Sequence, residues 1–294
     1  MDIYTIILPT YNDWKSLSIL LGQIEKYFNK TNNTFKILVI NDNSSEKNSY
    51  NLNKNKFFKE IRILNLRKNI GSQKAIATGL KYINKFYKKK DDKFIIMDSD
   101  GEDDPKKIKE IIQLVKKEKK TEIITMNRAL RKESFFFSIL YELHLLVTFI
   151  FTFKYIRFGN FSFLNRKVLK KIVNKKDLWF AYSATLKKYF KLNTFILAPR
   201  RKRISGKSKM SYLELINHSL NIQSIFKKNI FISYLLFLLI FGNFYLFDLS
   251  KLISLFIPFA IIIHFFIIFL NLKEKKNEVN FNLLLDNIKS IVKI

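Results

Sequence analysis

"IIMDSDGEDDP", residues Ile95 to Pro105, predicts three structural elements in succession. Its short apolar run is typical of a buried strand. Five carboxylates follow within the seven residues from Asp98 to Asp104. Proline is favoured in the first turn of a helix, where its missing N–H is not needed, and an aspartate just before it can cap that helix. The segment therefore predicts a strand, an acidic loop and a helix.

The alternation of strand and helix continues on both sides of this segment. Short apolar runs recur along the first half of the chain, and they read "IYTIILP", "FKILVIND", "IRILNL", "KFIIMD" and "TEIITMN". Strands that alternate with helices predict an α/β fold, in which a mostly parallel, Rossmann-like sheet is covered by helices on both faces. In such sheets, ligands bind at the carboxyl ends of the strands.

Polar motifs occur at these predicted carboxyl ends. The first strand ends in "PTYND" from Pro9, the second in "NDNSS" from Asn41, and the third leads into "NIGSQKA" from Asn69. Asp42 can accept hydrogen bonds from a base or ribose, or it can cap a turn. Gly71 lets the backbone approach a ligand, although a single glycine before a helix can also be only a turn. Because the motifs fall at one edge of the sheet, we predict a ligand site there.

Asp98 and Asp100 are candidate metal ligands. Residues two apart on an extended segment point the same way, so both carboxylates can face one cation. Mg2+ and Mn2+ prefer oxygen ligands and also bind substrate phosphates. The competing interpretation is a solvated acidic loop, and Glu102 and Asp103 fit either a supporting or a solvent-exposed role.

The chain is strongly basic, with 53 Lys and Arg against 24 Asp and Glu and a formal net charge of +29. This charge suits a polyanionic partner such as an anionic membrane, a phosphorylated substrate or a nucleic acid, although it also accompanies a general bias of the composition. No nucleic-acid-binding motif is present, so nucleic acid is the least favoured partner. The absence of cysteine excludes disulfides, thiolate metal sites and a cysteine nucleophile.

Two long apolar segments, Ile230 to Phe247 and Leu252 to Leu270, predict a transmembrane hairpin. Each is close to the ~20 residues that cross a bilayer as a helix. Lysines flank the pair on its outer sides, which by the positive-inside tendency places both chain ends in the cytoplasm. The alternative is a buried helical hairpin in a soluble core.

The domain boundaries follow from these spans. Residues 1–215 are predicted to form a cytoplasmic domain, 216–271 a juxtamembrane helix with the two spans, and 272–294 a cytoplasmic tail with a short surface helix. Residues 134–156 are rich in aromatic side chains and predict one or two amphipathic helices in the membrane interface. A third membrane span is the competing interpretation. The predicted location is therefore the cytoplasmic (inner) membrane.

Six segments resemble, in their order along the chain, those of a known family. They read "ILPTYN", "VINDNSS", "NIGSQKAIATGL", "IIMDSDGEDDP", "FGNFSFLNRKVL" and "RKRISGKSKMS". From about residue 3 to 215 the chain is similar to family 2 glycosyltransferases with the glycosyltransferase A fold. The resemblance is strongest to the polyprenyl-phosphate branch, which includes dolichyl-phosphate mannose synthases and bacterial undecaprenyl-phosphate glycosyltransferases. The C-terminal pair of apolar segments also resembles the bacterial members.

The resemblance implies an inverting transfer of a sugar from a nucleotide-diphosphate donor to a polyprenyl phosphate. Asp98 and Asp100 would hold Mg2+ or Mn2+ on the donor diphosphate, where the cation assists departure of the leaving group. The ionised acceptor phosphate would attack the anomeric carbon without a strong general base. The substrate-binding residues that it implies are Pro9, Tyr11, Asn12, Asp42, Gly71, Gln73, Lys74, Asp98, Ser99, Asn160, Ser208 and Lys209.

Basic side chains suit the acceptor phosphate of such a reaction. Besides the two aspartates, the implied catalytic residues are Arg128, Arg131, Arg203 and Lys207. Arginine binds phosphate bidentately and lysine supplies a point charge. The segment "RRKRISGKSKM" can also act as a juxtamembrane anchor for anionic lipid. The resemblance to bacterial relatives further suggests a homo-oligomer.

The chain departs from the family pattern at three positions. Asn160 and Asn41 stand where relatives carry acidic residues, and Asn12 stands where relatives often carry Glu. Asn160 cannot act as a base, but it can bind a sugar hydroxyl or a phosphate. Two alternatives stay open: transfer to a hydroxyl of a lipid-linked saccharide or other glycan, with Glu102 or Asp103 as the base, and a noncatalytic membrane-interaction protein.

Overall fold

The computed structural model divides the chain into two compact units. Unit 1 comprises Met1–Lys132, Arg157–Lys209 and Asn282–Ile294, and unit 2 comprises Glu133–Ile156 and Met210–Phe281. The residues that the structure describes are 2–48, 57–89, 91–128, 135–206, 212–246 and 283–294, together with 259–260, 262–264, 266–267, 269–270 and 273.

Unit 1 contains an eight-stranded sheet in the order β7-β5-β6-β4-β1-β2-β3-β8. The strands are β1 (Ile3–Thr10), β2 (Thr34–Asn41), β3 (Glu60–Leu66), β4 (Lys93–Ile96), β5 (Ile123–Arg128), β6 (Phe158–Asn165), β7 (Phe195–Ala198) and β8 (Ile288–Lys293). β1 pairs in parallel with β2 and β4, β2 with β3, and β5 with β7. β6 is antiparallel to β4 and β5, and β8 is antiparallel to β3. The predicted α/β fold with a mostly parallel sheet is confirmed.

Helices of unit 1 pack on this sheet through apolar faces. They are α1 (Trp14–Phe28), α2 (Ser72–Phe86), α3 (Lys107–Lys117), α5 (Arg166–Ile172) and α6 (Tyr182–Tyr189). α1 buries Leu17, Leu21 and Ile24, which lie three or four residues apart and so share one face. Gly79 lets α2 lie close to β2, because a Cβ atom there would come within 2.8 Å of Cδ1 of Ile40.

The first five strands occupy the segments in which the sequence predicts them, and helices follow β1, β3 and β4 as the predicted alternation requires. β6 is not predicted, and its antiparallel insertion between β4 and β5 is the main topological difference. The prediction of a surface helix in the tail is wrong for residues 283–294. A single 3-10 turn at Leu284–Asn287 leads there into β8, which extends the sheet at the edge of β3.

Unit 2 contains α4 (Phe135–Thr152), α7 (Tyr212–Ser224) and α8 (Lys227–Leu246). α4 contacts both other helices. Oγ of Ser219 and Nδ1 of His144 are hydrogen-bonded at 2.7 Å, and Oγ of Ser233 donates to the backbone oxygen of Ile150 at 2.9 Å. His144 therefore has a structural partner on α7.

Across the part of the chain that the structure describes, no helix is both long and apolar enough to cross a membrane. The predicted transmembrane hairpin is not confirmed. Most of its second span, 252–270, and the connection between the spans lie outside the described residues.

Candidate active site

An acidic loop, residues 98–104, follows β4 at the carboxyl edge of the parallel strands of unit 1. The loop is folded by hydrogen bonds to its own side chains. The backbone N–H of Asp98 donates to Oδ2 of Asp103 at 2.9 Å, and that of Glu102 donates to Oδ1 of Asp100 at 3.0 Å. These bonds fix four carboxylates close together.

An arginine loop, residues 199–206, lies against the acidic loop. Nε of Arg200 is 2.8 Å from Oε2 of Glu102, and Nη2 of Arg200 is 3.6 Å from Oδ2 of Asp98. The backbone N–H of Arg201 also donates to the backbone oxygen of Glu102 at 2.8 Å. One guanidinium group therefore binds two members of the acidic loop.

Arg203 forms a second bridge between the two loops. Its Nη1 donates to Oδ2 of Asp100 at 3.2 Å, and its Nη2 donates to Oδ2 of Asp13 at 2.5 Å. The backbone N–H of Ile204 donates to the backbone oxygen of Asp100 at 3.0 Å. Gly101 permits this close approach, since its φ is 80° and a Cβ atom there would lie 2.2 Å from the side chain of Ile204.

The carboxylates remain crowded despite these arginines. Burial first, and then the charges of Asp98 and Glu102, together raise the pKa of Asp100 to about 6. Burial likewise raises the pKa of Asp103 to about 7, with the charge of Asp98 adding to the effect. A hard cation near these groups would relieve the repulsion, because it favours the ionised carboxylates.

β6 brings Asn160 to Asp98. Ile96 of β4 pairs with Ser162, and the strands are antiparallel, so two positions beyond Ile96 the chain reaches Asp98 opposite Asn160. Nδ2 of Asn160 donates to Oδ1 of Asp98 at 2.8 Å. Nε2 of Gln73 donates to Oδ1 of Asn160 at 3.1 Å, which orients the amide of Asn160 with its nitrogen toward Asp98.

Gln73 is held in turn by the start of α6. The backbone N–H of Tyr182 donates to Oε1 of Gln73 at 2.8 Å. Three hydrogen bonds therefore run from Tyr182 through Gln73 and Asn160 to Asp98. An aspartate at position 160 could not donate to Asp98, so the amide at this departure from the family pattern has a defined role here.

Asp42 fixes the loop that precedes α2. Its two carboxylate oxygens accept the backbone N–H groups of Ile70 and Gly71, each at 2.8 Å. Burial raises the pKa of Asp42, whereas these two hydrogen bonds oppose the shift. Gly71 has a φ of 86°. These hydrogen bonds give Asp42 the predicted turn role, and its contact with a base or ribose stays a prediction.

Asn12 joins the ends of β1 and β2. It has a φ of 47°, and its backbone N–H donates to Oγ of Ser44 at 2.9 Å. Its side chain donates to Oγ of Ser45 at 2.9 Å and accepts the backbone N–H of Glu46 at 3.1 Å. The "PTYND" and "NDNSS" motifs therefore form one connected loop structure.

Four other predicted binding residues lie near this edge in different settings. Oγ of Ser99 donates to the backbone oxygen of Pro9 at 2.8 Å, which joins β1 to the acidic loop. Nζ of Lys74 lies 4.4 Å from the ring centre of Trp179. Tyr11 is 37% exposed. Ser99 and Pro9 thus form part of the framework, whereas the ring of Tyr11 is accessible to a ligand.

Arg128 lines a small pocket with Asp98, Asp103, Asn160 and Arg200. Its guanidinium group lies against Gly159. The structure therefore brings Arg128 to the predicted site with the acidic loop. Four further predicted residues lie outside the described residues, namely Arg131, Lys207, Ser208 and Lys209.

Within the described ranges, no group of three or more histidine or acidic side chains is arranged to hold a metal ion alone. The contact of Asp13 with Arg203 is the main feature that sequence reasoning missed. Its only sequence signal is its place at the end of "PTYND".

Glycosyl transferase family 2 matches residues 5–190, which is more than half of the 294 residues. The chain belongs to glycosyl transferase family 2. An uncharacterized glycosyltransferase of Synechocystis sp., sll0501, is 25% identical over 237 residues, covering 74% of this chain and 67% of that protein. This family 2 glycosyltransferase is therefore an enzyme, and the noncatalytic alternative is not supported.

Two solved structures are similar to this chain. Glucosyl-3-phosphoglycerate synthase from Mycobacterium tuberculosis, in complex with Mn2+, UDP-glucose and phosphoglyceric acid, is 11% identical with a TM-score of 0.50, covering 78% of this chain and 80% of that one. S. aureus TarS 1–349, in complex with UDP-GlcNAc, is 13% identical with a TM-score of 0.48, covering 80% and 70%. The likeness to the synthase shows a common glycosyltransferase A-like fold.

Proposed function

We propose that this family 2 glycosyltransferase moves a sugar from a nucleotide-diphosphate donor to a polyprenyl phosphate. The observation that carries the proposal is the contact between the acidic and arginine loops at the carboxyl edge of the sheet. Asp98 and Asp100 offer oxygen ligands for a metal-bound diphosphate, and Arg200 and Arg203 offer donors for a phosphate. Both partners of a phosphate-dependent transfer would find complementary charge there.

The acidic loop suits a divalent cation. Mg2+ and Mn2+ are commonly held by one or two carboxylates, with substrate phosphates and water as the other ligands. Asp98 and Asp100 would hold the ion, and the raised pKa of Asp100 reflects surplus negative charge that a cation would offset. The ion would stabilise charge on the departing diphosphate. Asn160 would keep Asp98 oriented for this role, since it donates to Oδ1, and the metal would share Oδ2 of Asp98 with Arg200.

A nucleotide sugar is the proposed donor. The Mycobacterium tuberculosis synthase of similar fold is in complex with Mn2+ and UDP-glucose, which supports this class of donor. Tyr11, Asn12 and the Gly71 loop lie at the same sheet edge as the acidic loop and would contact it. Lys74 would approach the diphosphate. The nucleobase of the donor would contact Asn12, at the position where relatives often carry Glu.

A lipid acceptor would place the enzyme at the membrane. Unit 2 supports this proposal because large apolar side chains of α4 recur at helical spacing and are about half exposed, namely Ile139, Leu143, Leu146 and Ile150. On α8, Phe231, Ile232, Leu235 and Leu236 are similarly exposed. Such surfaces are typical of membrane or protein contact sites. We infer a location at the cytoplasmic membrane, with residues 230–270 as the proposed hairpin and both chain ends cytoplasmic.

Transfer to a hydroxyl group is the second candidate. A hydroxyl needs a base, and Asp103 lies in the same pocket as Asp98 and Arg128. Asp103→Asn separates the two reactions, because the amide oxygen can still accept the N–H of Asp98 but cannot take a proton. Retained transfer in this variant supports the phosphate acceptor, and loss of transfer without loss of donor binding supports the hydroxyl acceptor.

The direct test is nucleotide release by the purified protein in detergent. A panel of nucleotide sugars is incubated with Mn2+, with and without undecaprenyl phosphate, and labelled sugar is followed into the lipid fraction. The proposal predicts release that requires the metal and the lipid phosphate together. Transfer to another acceptor in the absence of undecaprenyl phosphate would contradict it.

A further inference from the structure

A second pocket of unit 1 lies at the opposite edge of the sheet from the acidic loop. Its volume is about 340 Å3, and its lining residues are Asn84, Lys88, Arg166, Lys170 and Asn174. Arg166 begins α5 directly after β6, whose last residue, Asn165, pairs with Lys93 at the start of β4. The acidic loop follows the other end of β4, so the basic pocket is separate from the proposed catalytic site.

Arg166 lines this pocket, and two nitrogens of its guanidinium group are buried without hydrogen-bond partners among the described residues. The residue is only 6% exposed, and its Nε and Nη1 have no hydrogen-bond partner within the described chain. Its Nη2 donates to the backbone oxygen of Asn84 at 3.3 Å, and its guanidinium carbon lies 6.0 Å from the ring centre of Phe94. Buried charged donors without partners are costly, so a ligand with acceptor oxygens that draws the guanidinium group toward the pocket would stabilise them.

Positive charges converge around the same point. Nζ of Lys88 also donates to the backbone oxygen of Asn84, at 3.5 Å, so both cationic nitrogens lie within 3.5 Å of one oxygen atom. Lys170 adds a third cation to the lining, which contains no acidic residue among the described side chains. Asp92 attracts Arg166 from nearby, but its Oδ2 has no hydrogen-bond partner in the described chain either.

Capping of α2 explains only part of this arrangement. The carbonyl of Asn84 lies in the last turn of α2, where cations are favoured by the helix dipole. That role accounts for Nη2 of Arg166 and Nζ of Lys88. Capping does not explain the burial of Nε and Nη1 of Arg166, and it does not involve Lys170.

We propose that the basic pocket binds a phosphate monoester. A phosphate monoester carries a charge of about −2 near neutral pH and three acceptor oxygens, which match a guanidinium fork and two ammonium groups. Asn84 and Asn174 can bind hydroxyl groups of the attached moiety. The ligand is either a small phosphate ester or the head group of a phosphatidic-acid-type lipid. It would bind without displacing the nucleotide-sugar donor or the acceptor substrate, because the acidic loop lies at the opposite ends of the strands.

The test compares two double variants of the full-length protein. Lys88→Gln/Lys170→Gln removes two exposed cations that line the pocket. The matched control, Lys85→Gln/Lys171→Gln, removes two exposed cations from the same α2 and α5 region that do not line it. Glycerol 3-phosphate is titrated calorimetrically in the presence of a chelator. Without divalent metal the acidic loop repels anions, so the probe is kept from the proposed catalytic site. Flotation with phosphatidylcholine vesicles, with and without phosphatidic acid, tests the lipid source.

We expect the pocket variant to bind glycerol 3-phosphate about tenfold or more weakly than the wild type, with the control within about twofold, because charge-assisted hydrogen bonds are lost. A difference confined to phosphatidic acid vesicles would support the same pocket with a lipid head group as its ligand. Equal behaviour of both double variants toward both probes would overturn the proposal.

Discussion

Asp100→Asn should stabilise unit 1 at neutral pH even though it removes a proposed metal ligand. The side chain of Asp100 is 15% exposed, and its pKa is raised from 3.8 to about 6, first by burial and then by the charges of Asp98 and Glu102. This difference corresponds to about 3 kcal/mol by which ionisation destabilises the folded state. Asparagine can still accept the N–H of Glu102 and carries no charge, but it loses the ion pair with Arg203, so the variant should recover less than about 3 kcal/mol.

The gain should depend on pH. Because the pKa of Asp100 is higher in the folded state, the folded protein binds this proton more tightly, and wild-type stability falls as pH rises from about 4 to about 6. Above that range the full cost is present. At pH 5 the folded side chain is mostly protonated while the unfolded one is mostly ionised, so the gain should be roughly half of that at pH 7.5.

Thermal unfolding of the full-length protein can be followed by tryptophan fluorescence. The chain has two tryptophans, Trp14 and Trp179, and both are buried in unit 1. At roughly 2–4 °C per kcal/mol, the melting temperature of Asp100→Asn should exceed that of the wild type at pH 7.5, by at most roughly 6–12 °C. Asp91→Asn, an exposed substitution of the same kind, is the control. A melting temperature at or below that of the wild type at pH 7.5 would refute the reasoning.

Three further substitutions test the two loops. Asn160→Asp removes the hydrogen-bond donor to Asp98 and adds a like charge, so we expect its melting temperature to fall below that of the wild type and to be restored by Mn2+. A melting temperature equal to that of the wild type without Mn2+ would contradict this expectation. Gly101→Ala should cost about 1–3 kcal/mol in thermal unfolding, since its φ is 80° and Ile204 blocks a Cβ atom; an unchanged melting temperature would show that the loops separate readily. Arg203→Lys replaces the two separate nitrogens that contact Asp13 and Asp100 with one ammonium group and so weakens the bridge; trypsin should then cleave the arginine loop faster than in the wild type, and equal rates would contradict the bridge.

The parallel half of the sheet is predictable because its signals are local. β1, β2 and β4 are buried on both faces, so each appears as a continuous apolar run with a polar motif at its carboxyl end. The acidic loop is predictable for the same reason, since it directly follows such a run. The family resemblance implies that Arg203 belongs to the site, but it does not predict the contact of Arg203 with the acidic loop.

The other elements depend on contacts that are distant in the sequence. β6 mixes apolar and polar residues, and only its pairing with β4 brings Asn160 to Asp98. β8 has mostly exposed side chains, and its place is set by hydrogen bonding to β3, more than 200 residues earlier. Asp42 is identified as a site residue by its position, yet its two hydrogen bonds to the α2 loop show a structural role.

The most direct test of the proposed metal and donor site is calorimetric titration of the full-length protein with a panel of nucleoside diphosphates, with and without Mn2+. The wild type and Asp91→Asn should bind one of them only in the presence of Mn2+, and Asp98→Asn and Asp100→Asn should lose most of that binding. Metal-independent binding, or equal affinity in all four proteins, would contradict the assignment of Asp98 and Asp100 to the metal-bound diphosphate.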